Sequence, residues 1–354
     1  MSSSPPSISI VGAGVIGLSC AWALARRGAA VTLYDKGQSG LGASWAAAGM
    51  LAPAFEAGSE ASAHPLLFEL CMAGAQLWPD FAADLERQTG RTIGYSPGLS
   101  LAVAATDDET KSLNQLHAAL EQVGAACEPL SPEAAKQMEP ALTGPVSAAL
   151  ALTTDGHVDN RALCEALAAA CGAAGVRFIM QRAVETGEDL GSDFTLWTTG
   201  ADPSLAGILP VKGAAFSLRP SSSLPKRAVR FGDIYFTPHA DRVVIGATVE
   251  PGKTDLEPSR EAIGRLHARA AEICDGVEGG VLQMRWAGVR PATADHAPMI
   301  GRRANGDWIA TGHYRNGILL APITGEIIAD MIISDDASTL AAAFSPERFT
   351  PATA

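Results

Sequence analysis

The chain has 354 residues, with 26 lysines and arginines against 38 aspartates and glutamates, giving a formal charge of −12 at neutral pH. Hydrophobic residues make up 47% and charged residues 18%, which is enough apolar material for two domains or one large unit with an insertion and excludes a disordered polymer. The acidic balance argues against a nucleic-acid partner, and no basic amphipathic stretch suggests a membrane surface.

Met1 to Pro6 lacks the basic stretch of a secretion signal. Ser7–Val11 reads as a buried strand, Val15–Arg27 as an apolar helix stopped by Gly28, and Ala30–Tyr34 as a second buried strand. This is a βαβ opening with parallel strands, hence a sheet covered on both faces. The longest uncharged stretch, Gly37 to Phe55, is broken by Gly, Ser and Pro and makes a poor membrane span. Leu66–Gln88 and Asp107–Val123 read as helices, the second with an acidic first turn, and Ile93–Val103 between them as a β-hairpin. A helix is expected at Asp159–Ala174, stopped by Gly175, followed by strands at Val176–Met180 and Phe194–Gly200. Gly213 to Val249 alternates in a way that predicts several short antiparallel strands, and Glu257–Cys274 reads as a helix. A strand at Trp308–Thr311 and a helix from Ile318 to Ile333 close the pattern, and the Ala/Ser/Pro-rich tail after Ser334 is expected to pack loosely. Six scattered cysteines with no Cys-x-x-Cys read as reduced thiols of a cytoplasmic protein, with no metal site.

Gly12-Ala13-Gly14-Val15-Ile16-Gly17 follows the first strand and opens the first helix. In that context the first glycine permits a tight turn, the second lets a pyrophosphate approach the backbone, and the third lets helix and strand pack closely. The helix N-terminus then offers free amides and a positive dipole to phosphate. Asp35, followed by Lys36, ends the second strand, where a carboxylate accepts from ribose hydroxyls and disfavours a 2′-phosphate. These residues leave FAD and NAD both open.

Four further segments bear on that choice. They are Gly42-Ala-Ser-Trp-Ala-Ala-Ala-Gly-Met-Leu-Ala-Pro53, Asp155-Gly-His-Val-Asp-Asn160, Trp286-Ala-Gly-Val-Arg-Pro-Ala-Thr293 with Pro298–Gly301, and Gly312-His-Tyr-Arg-Asn-Gly-Ile-Leu-Leu-Ala-Pro-Ile-Thr-Gly325. Together and in this order they resemble the D-amino-acid oxidase superfamily, nearest its glycine oxidase branch. The resemblance implies FAD, with Ser44, Ala47, Ala48, Gly49 and Met50 beside the flavin. It adds cofactor contacts at Val184, Thr199, Gly200, Gly288, Arg290, His313, Arg315, Asn316, Gly317 and Ile318. Arg290 matches the arginine that binds the substrate carboxylate, for which a guanidinium fork is suited. Tyr235 and Arg315 match further active-site positions, while Met50 and Val249 line the substrate, Val249 standing where the branch carries methionine. No cysteine follows Cys274, so the flavin is expected to be noncovalent. The stretch from Val176 to Gly200 is short for the family's β-meander.

The resulting expectation is an α/β (α+β overall) enzyme. A Rossmann-like FAD-binding domain of residues 1–80, 145–212 and 285–340 is interrupted by an antiparallel-sheet substrate domain of 81–144 and 213–284. The implied reaction is oxidative deamination of glycine or a small or D-amino acid, by hydride transfer to flavin N5, giving a 2-oxo acid, ammonia and hydrogen peroxide. The partners are the amino acid and dioxygen; the same chemistry with electrons passed to a quinone is the alternative, and the chain is expected to be a homo-oligomer. His64, His117, His239, His267 and His296 show no triad or metal spacing and are assigned to loops or the surface.

Overall fold

In the computed structural model, which describes residues 5–57, 64–336 and 338–349, Ser7–Val11 lies at the heart of a six-stranded sheet. It pairs in parallel with Ala30–Tyr34 on one side and Phe194–Trp197 on the other. Arg177–Ile179 lies outside Ala30–Tyr34, and Trp308–Thr311 lies in parallel beside Phe194–Trp197, with Met299–Arg302 antiparallel at the far edge. The inner strands are mostly buried because both faces are covered. Helix Val15–Arg26 is buried along ten consecutive residues, packed between Asn160–Ala173 and Ala321–Ala329, with Leu67–Thr89 against both of those. The N-terminal Met1–Ser4 and the end of the tail, residues 350–354, lie outside the described residues. Among the described residues no helix is long and apolar enough to cross a membrane.

The second sheet has nine strands. Its path runs Glu250–Pro251, Leu209–Leu218, Val243–Gly246, Ile234–Pro238, Val229–Phe231, Ser100–Ala104, Ala148–Leu152 and Cys127–Leu130, and Leu282–Ala292 also pairs with Leu209–Leu218. Every pairing is antiparallel except that of Val229–Phe231 with Ser100–Ala104. The antiparallel expectation for Gly213–Val249 therefore holds.

Other expectations change. Ile93–Val103 is not a hairpin: Gly94, Gly98 and Leu99 all have positive φ and turn the chain, so only Ser100–Ala104 is a strand, paired with distant partners. Ala148–Leu152 and Leu282–Ala292 belong to the second sheet, so the domain limits drawn at residues 145 and 285 do not follow sheet membership. The helix expected from Glu257 begins at Arg260, where Ser259 caps it. The last helix begins at Ala321 rather than Ile318, because Pro322 suits only a first helical turn, and it ends in a π-helical turn at Asp330–Ser334.

Trp78 ties the helix Leu67–Thr89 to the C-terminal segment. Its buried indole N–H donates to the Leu319 carbonyl at 2.9 Å, and its ring stacks on Tyr95 and meets Phe81 edge-on. Trp78→Ala is expected to cost about 3–5 kcal/mol through the cavity it leaves. Trp78→Phe, which mainly orphans a buried carbonyl, should cost about 1–3 kcal/mol. Urea unfolding midpoints check both; a Phe variant as damaged as the Ala variant would mean that the hydrogen bond, not the volume, dominates.

Candidate active site

The glycine-rich turn is held by close approaches that side chains would forbid. A Cβ on Gly17 would stand 1.9 Å from the Gly12 carbonyl oxygen, and one on Gly12, at φ 111°, would stand 2.5 Å from the Thr198 carbonyl. The Thr198 hydroxyl donates to the Gly12 carbonyl at 2.7 Å, so the turn is pinned from the neighbouring strand. Asp35 accepts from the Ala13 and Gly37 amides, one on each oxygen, at 2.8 and 2.7 Å. It therefore fastens both turns and keeps a lone pair on each oxygen for a ribose hydroxyl. Val15 and Ile16 are buried in the helix, and Lys36 is exposed. Gly14 caps the helix without a side chain, and Ser44 Oγ accepts from the Val15 amide at 3.0 Å.

Ser44 opens a segment whose carbonyls are taken one after another by distant groups. Asn160 Nδ2 donates to the Ser44 and Trp45 carbonyls, Trp286 Nε1 to Ala46, and the Val158 amide to Gly49; His239 Nε2 lies 3.1 Å from the Ala48 carbonyl. Gly49 has φ 79°, and a Cβ there would stand 1.9 Å from the Val158 carbonyl. Met50–Leu51 pairs with Gly156–His157. Asp155 accepts from the Ala54 amide, and Asp159 caps helix Asn160–Ala173 while receiving a two-bond fork from Arg242. Arg161 stacks on Trp45, its guanidinium carbon 3.8 Å from the ring centroid.

Facing this segment is one side of the nine-stranded sheet. Arg230 is opposite Tyr235, Tyr235 opposite Gly246, Gly246 opposite Ala215, and Ala215 opposite Trp286, so these side chains share a face. Two glycines make the floor of a depression. A Cβ on Gly246 would lie 2.7 Å from the Tyr235 hydroxyl, and one on Gly213 would lie 2.4–2.6 Å from the Arg290 guanidinium atoms. Tyr235 and Arg290 thus reach in from opposite sides, and the Arg290 charge acts on the Tyr235 hydroxyl. Arg290 Nη1 also donates to the Thr248 carbonyl at 3.2 Å. Tyr235, Met50, Ala48 and Trp286 pack in one cluster. Burial pushes the Tyr235 hydroxyl above its ordinary value, against the pull of Arg290 and Arg230.

The C-terminal segment closes on the same region. The Tyr314 amide donates to the Pro291 carbonyl at 2.7 Å, beside Arg290. His313 is buried against Thr324, Asn316 and Ile318 are buried, and Gly317 is half-buried. Arg315 is exposed, its guanidinium carbon 5.6 Å from the Phe55 ring, which also carries Arg230 at 4.0 Å. Gly288 packs so tightly that a Cβ would stand 2.3 Å from that of Ala46. Val184 packs beside Val11 and Trp197, the Thr199 hydroxyl is buried, and the Gly200 carbonyl accepts from Thr311.

One expectation needs correction. Val249 is 61% exposed and does not form an apolar pocket wall. Thr248 is held instead, its hydroxyl donating to Glu250 and accepting from the Ala214 amide, in the irregular stretch between Val243–Gly246 and Glu250–Pro251. His239 lies in the loop after Ile234–Pro238, as expected, and is half-buried at the Ala48 carbonyl. Arg230, Phe55, Gly213 and Gly246 gave no local signal, since only strand pairing brings them here. Asn160 and Trp286 lay inside the quoted segments, without an assigned role.

Residues 7–331 match the family model described as FAD dependent oxidoreductase. The chain belongs to this family of FAD-dependent oxidoreductases. It is 32% identical to the glycine oxidase of Geobacillus kaustophilus (strain HTA426) over 96% of both chains. The crystal structure of glycine oxidase from Geobacillus kaustophilus superposes with a TM-score of 0.87 at 31% identity, covering 97% of this chain and 98% of that one. That of Bacillus cereus ATCC 14579 gives 0.86 at 29% identity, covering 96% and 98%. The cofactor of this oxidoreductase is FAD, and the residues fit it. Gly12–Gly17 form a cradle that any Cβ on Gly12 or Gly17 would fill, and Asn316 Nδ2 and Thr199 Oγ1 are buried polar atoms with no hydrogen-bond partner among the described residues.

Burial holds two histidines of this region neutral, His239 down to about 4 and His313 down to about 3. An unfolded histidine takes its proton near pH 6.5, so the unfolded state binds protons first as the pH falls. The oxidoreductase should therefore be fully stabilised above about pH 6.5 and lose stability steadily towards pH 4. Unfolding midpoints between pH 8 and 4 measure this, and His239→Gln should flatten the profile. Parallel profiles for the two proteins would remove His239 from the explanation.

Proposed function

We propose that this oxidoreductase oxidatively deaminates glycine or another small amino acid, yielding a 2-oxo acid, ammonia and hydrogen peroxide. The observation that supports this most is the convergence of Arg290 and Tyr235 over the floor of Gly213 and Gly246, against the segment 44–50. Two relatives, 32% and 31% identical and covered over 96% of their length, bear the name glycine oxidase.

Gly12–Gly17 and Asp35 would hold the phosphate and ribose end of FAD, and residues 44–50 and 313–318 its flavin; when bound it would supply the two-electron oxidation that turns the amine into a hydrolysable imine. Arg290 presents a planar fork to the α-carboxylate. Tyr235, held protonated at neutral pH by its burial, donates its hydroxyl hydrogen to the same carboxylate. With the carboxylate fixed at two points, the Cα–H bond has one orientation towards the loop, and orientation is where most of the protein's contribution lies. Trp286, Met50 and Ala48 keep water from the depression. No general acid or base is needed, because the neutral amine loses hydride and water completes the reaction.

Arg290→Ala removes one partner of a buried charge pair, worth about 3–5 kcal/mol, so efficiency on amino acids should fall several hundred- to several thousand-fold with yellow, folded protein retained. Arg290→Lys should recover only part, since a point charge cannot reproduce the fork. Simple amines should be hurt far less. Gly213→Ala, whose new methyl meets only the flexible end of Arg290, should fold normally and raise KM by displacing the guanidinium. Anaerobic flavin reduction across glycine and D-alanine concentrations separates these effects, and peroxide release tests oxygen as the acceptor. Near-normal apparent affinity in Arg290→Ala would make Arg290 the wrong anchor.

A further inference from the structure

The strands Ile234–Pro238 and Val243–Gly246 are joined by a short turn that reaches across to helix Asn160–Ala173. The turn is closed by the His239 amide, which donates to the Arg242 carbonyl at 2.7 Å. Arg242 carries its fork to Asp159, the cap of that helix, at 2.9 Å on each carboxylate oxygen. Its side chain is only 6% exposed, so the turn is fixed through both backbone and side chain. His239 is the member of this turn that reaches the loop. Its Nε2 stands 3.1 Å from the Ala48 carbonyl, and a carbonyl only accepts, so Nε2 carries the hydrogen. The His157 ring meets the His239 ring edge-on, with centroids 6.0 Å apart. Val158, the next residue, donates its amide to the Gly49 carbonyl at 2.9 Å. Two successive carbonyls of the loop are therefore held from one side.

In a trans peptide the carbonyl and the amide point in opposite directions. An Ala48 carbonyl turned to His239 therefore sends the Gly49 amide the other way. Gly49 is buried, and its amide donates to no acceptor among the described residues. Buried amides without an acceptor are rare, so this donor marks the place of a bound group. We propose that His239 is a positioning residue for the cofactor: by holding the Ala48 carbonyl it aims the Gly49 amide at the flavin. This rests on the placement of the flavin beside residues 44–50 proposed above and adds what orients the loop's donor. His239 does so without adding a charge, since burial, with Arg242 and His157 beside it, holds the imidazole neutral. An amide bonded to a group that gains negative charge becomes a charge-assisted donor, roughly twice as strong as a neutral one. The bond therefore favours the reduced cofactor over the oxidised one and raises the reduction potential of the flavin.

The test is the midpoint potential of the purified holoenzyme, measured by dye equilibration, with FAD affinity and urea midpoints beside it. His239→Leu removes the donor at similar volume. It should weaken binding of reduced FAD about tenfold relative to oxidised FAD, a fall of about 30 mV for a two-electron couple. His239→Gln, whose amide nitrogen can stand where Nε2 stands, should restore most of the potential. His239→Asn is too short to reach and should behave as His239→Leu does, which keeps the comparison available if the leucine variant loses FAD. A purely structural role would lower the urea midpoint and leave the potential in place. Trp286→Phe releases the neighbouring Ala46 carbonyl, and a shifted flavin absorbance in that variant reports that the loop lies against the flavin. With that shift present, a potential unchanged in His239→Leu, or one that His239→Gln fails to restore, overturns the role of His239 and leaves the loop placement standing. A flavin indifferent to both Trp286→Phe and His239→Leu overturns the placement as well.

Discussion

Residues 44–50 are the constraint on which the rest of this site depends. The segment is mostly alanine and glycine, so it has few side chains with which to anchor itself. Its position is fixed through its carbonyls: Asn160 takes two, Trp286 one, the Val158 amide another, and His239 sits at a fifth. Asn160 begins a helix packed on the parallel sheet, whereas Trp286 and His239 belong to the antiparallel sheet or the turn beside it. The loop is thus gripped from both sheets at once. Because Ser44 also caps the first helix, the phosphate end of the cofactor site and the substrate face share one rigid reference.

The loop itself is held by neutral histidines and a single stacked cation. Burial keeps His157, His239 and His313 uncharged, and Arg161 stacks on Trp45 while donating to its carbonyl. Further cations, Arg290 and Arg230, stand on the sheet face. In a chain of net charge −12 this is a local inversion of sign. Remote surface carboxylates are screened within roughly 8 Å at physiological salt, so the local potential of the depression is set by its own guanidiniums rather than by the acidic surface.

The parts of this arrangement legible in the sequence are those encoded by local spacing. Gly12, Gly14, Gly17 and Asp35 could be read because the constraint on each comes from neighbours in one βαβ unit. Arg290 was readable because a whole motif surrounds it. Gly213, Gly246 and Arg230 were not, because their meaning is conferred by strand register, and register is a property of pairs of distant segments. Val249 shows the same limit in reverse. A position matched by sequence is exposed here, and Thr248 beside it is held through both its hydroxyl and its carbonyl. The hairpin read into Ile93–Val103 failed for a related reason: alternation suggested two strands, but three residues of positive φ spend the first half on turning.

The floor of the depression shows why register matters for chemistry as well as for folding. Gly246 and Gly213 could each accept an alanine in the unfolded chain at no cost, and alanine is the better strand residue in propensity terms. Their value appears only when the strands pair and bring Tyr235 and Arg290 over them. Each missing Cβ gives one functional side chain the room to lie flat against the sheet. With both lying flat, the Arg290 charge comes to bear on the Tyr235 hydroxyl. A methyl at either position would lift its partner by about its own radius, and a displacement of about 1 Å can cost a hundredfold in rate. The shape of the depression therefore rests as much on the two residues with no side chain as on Tyr235 and Arg290.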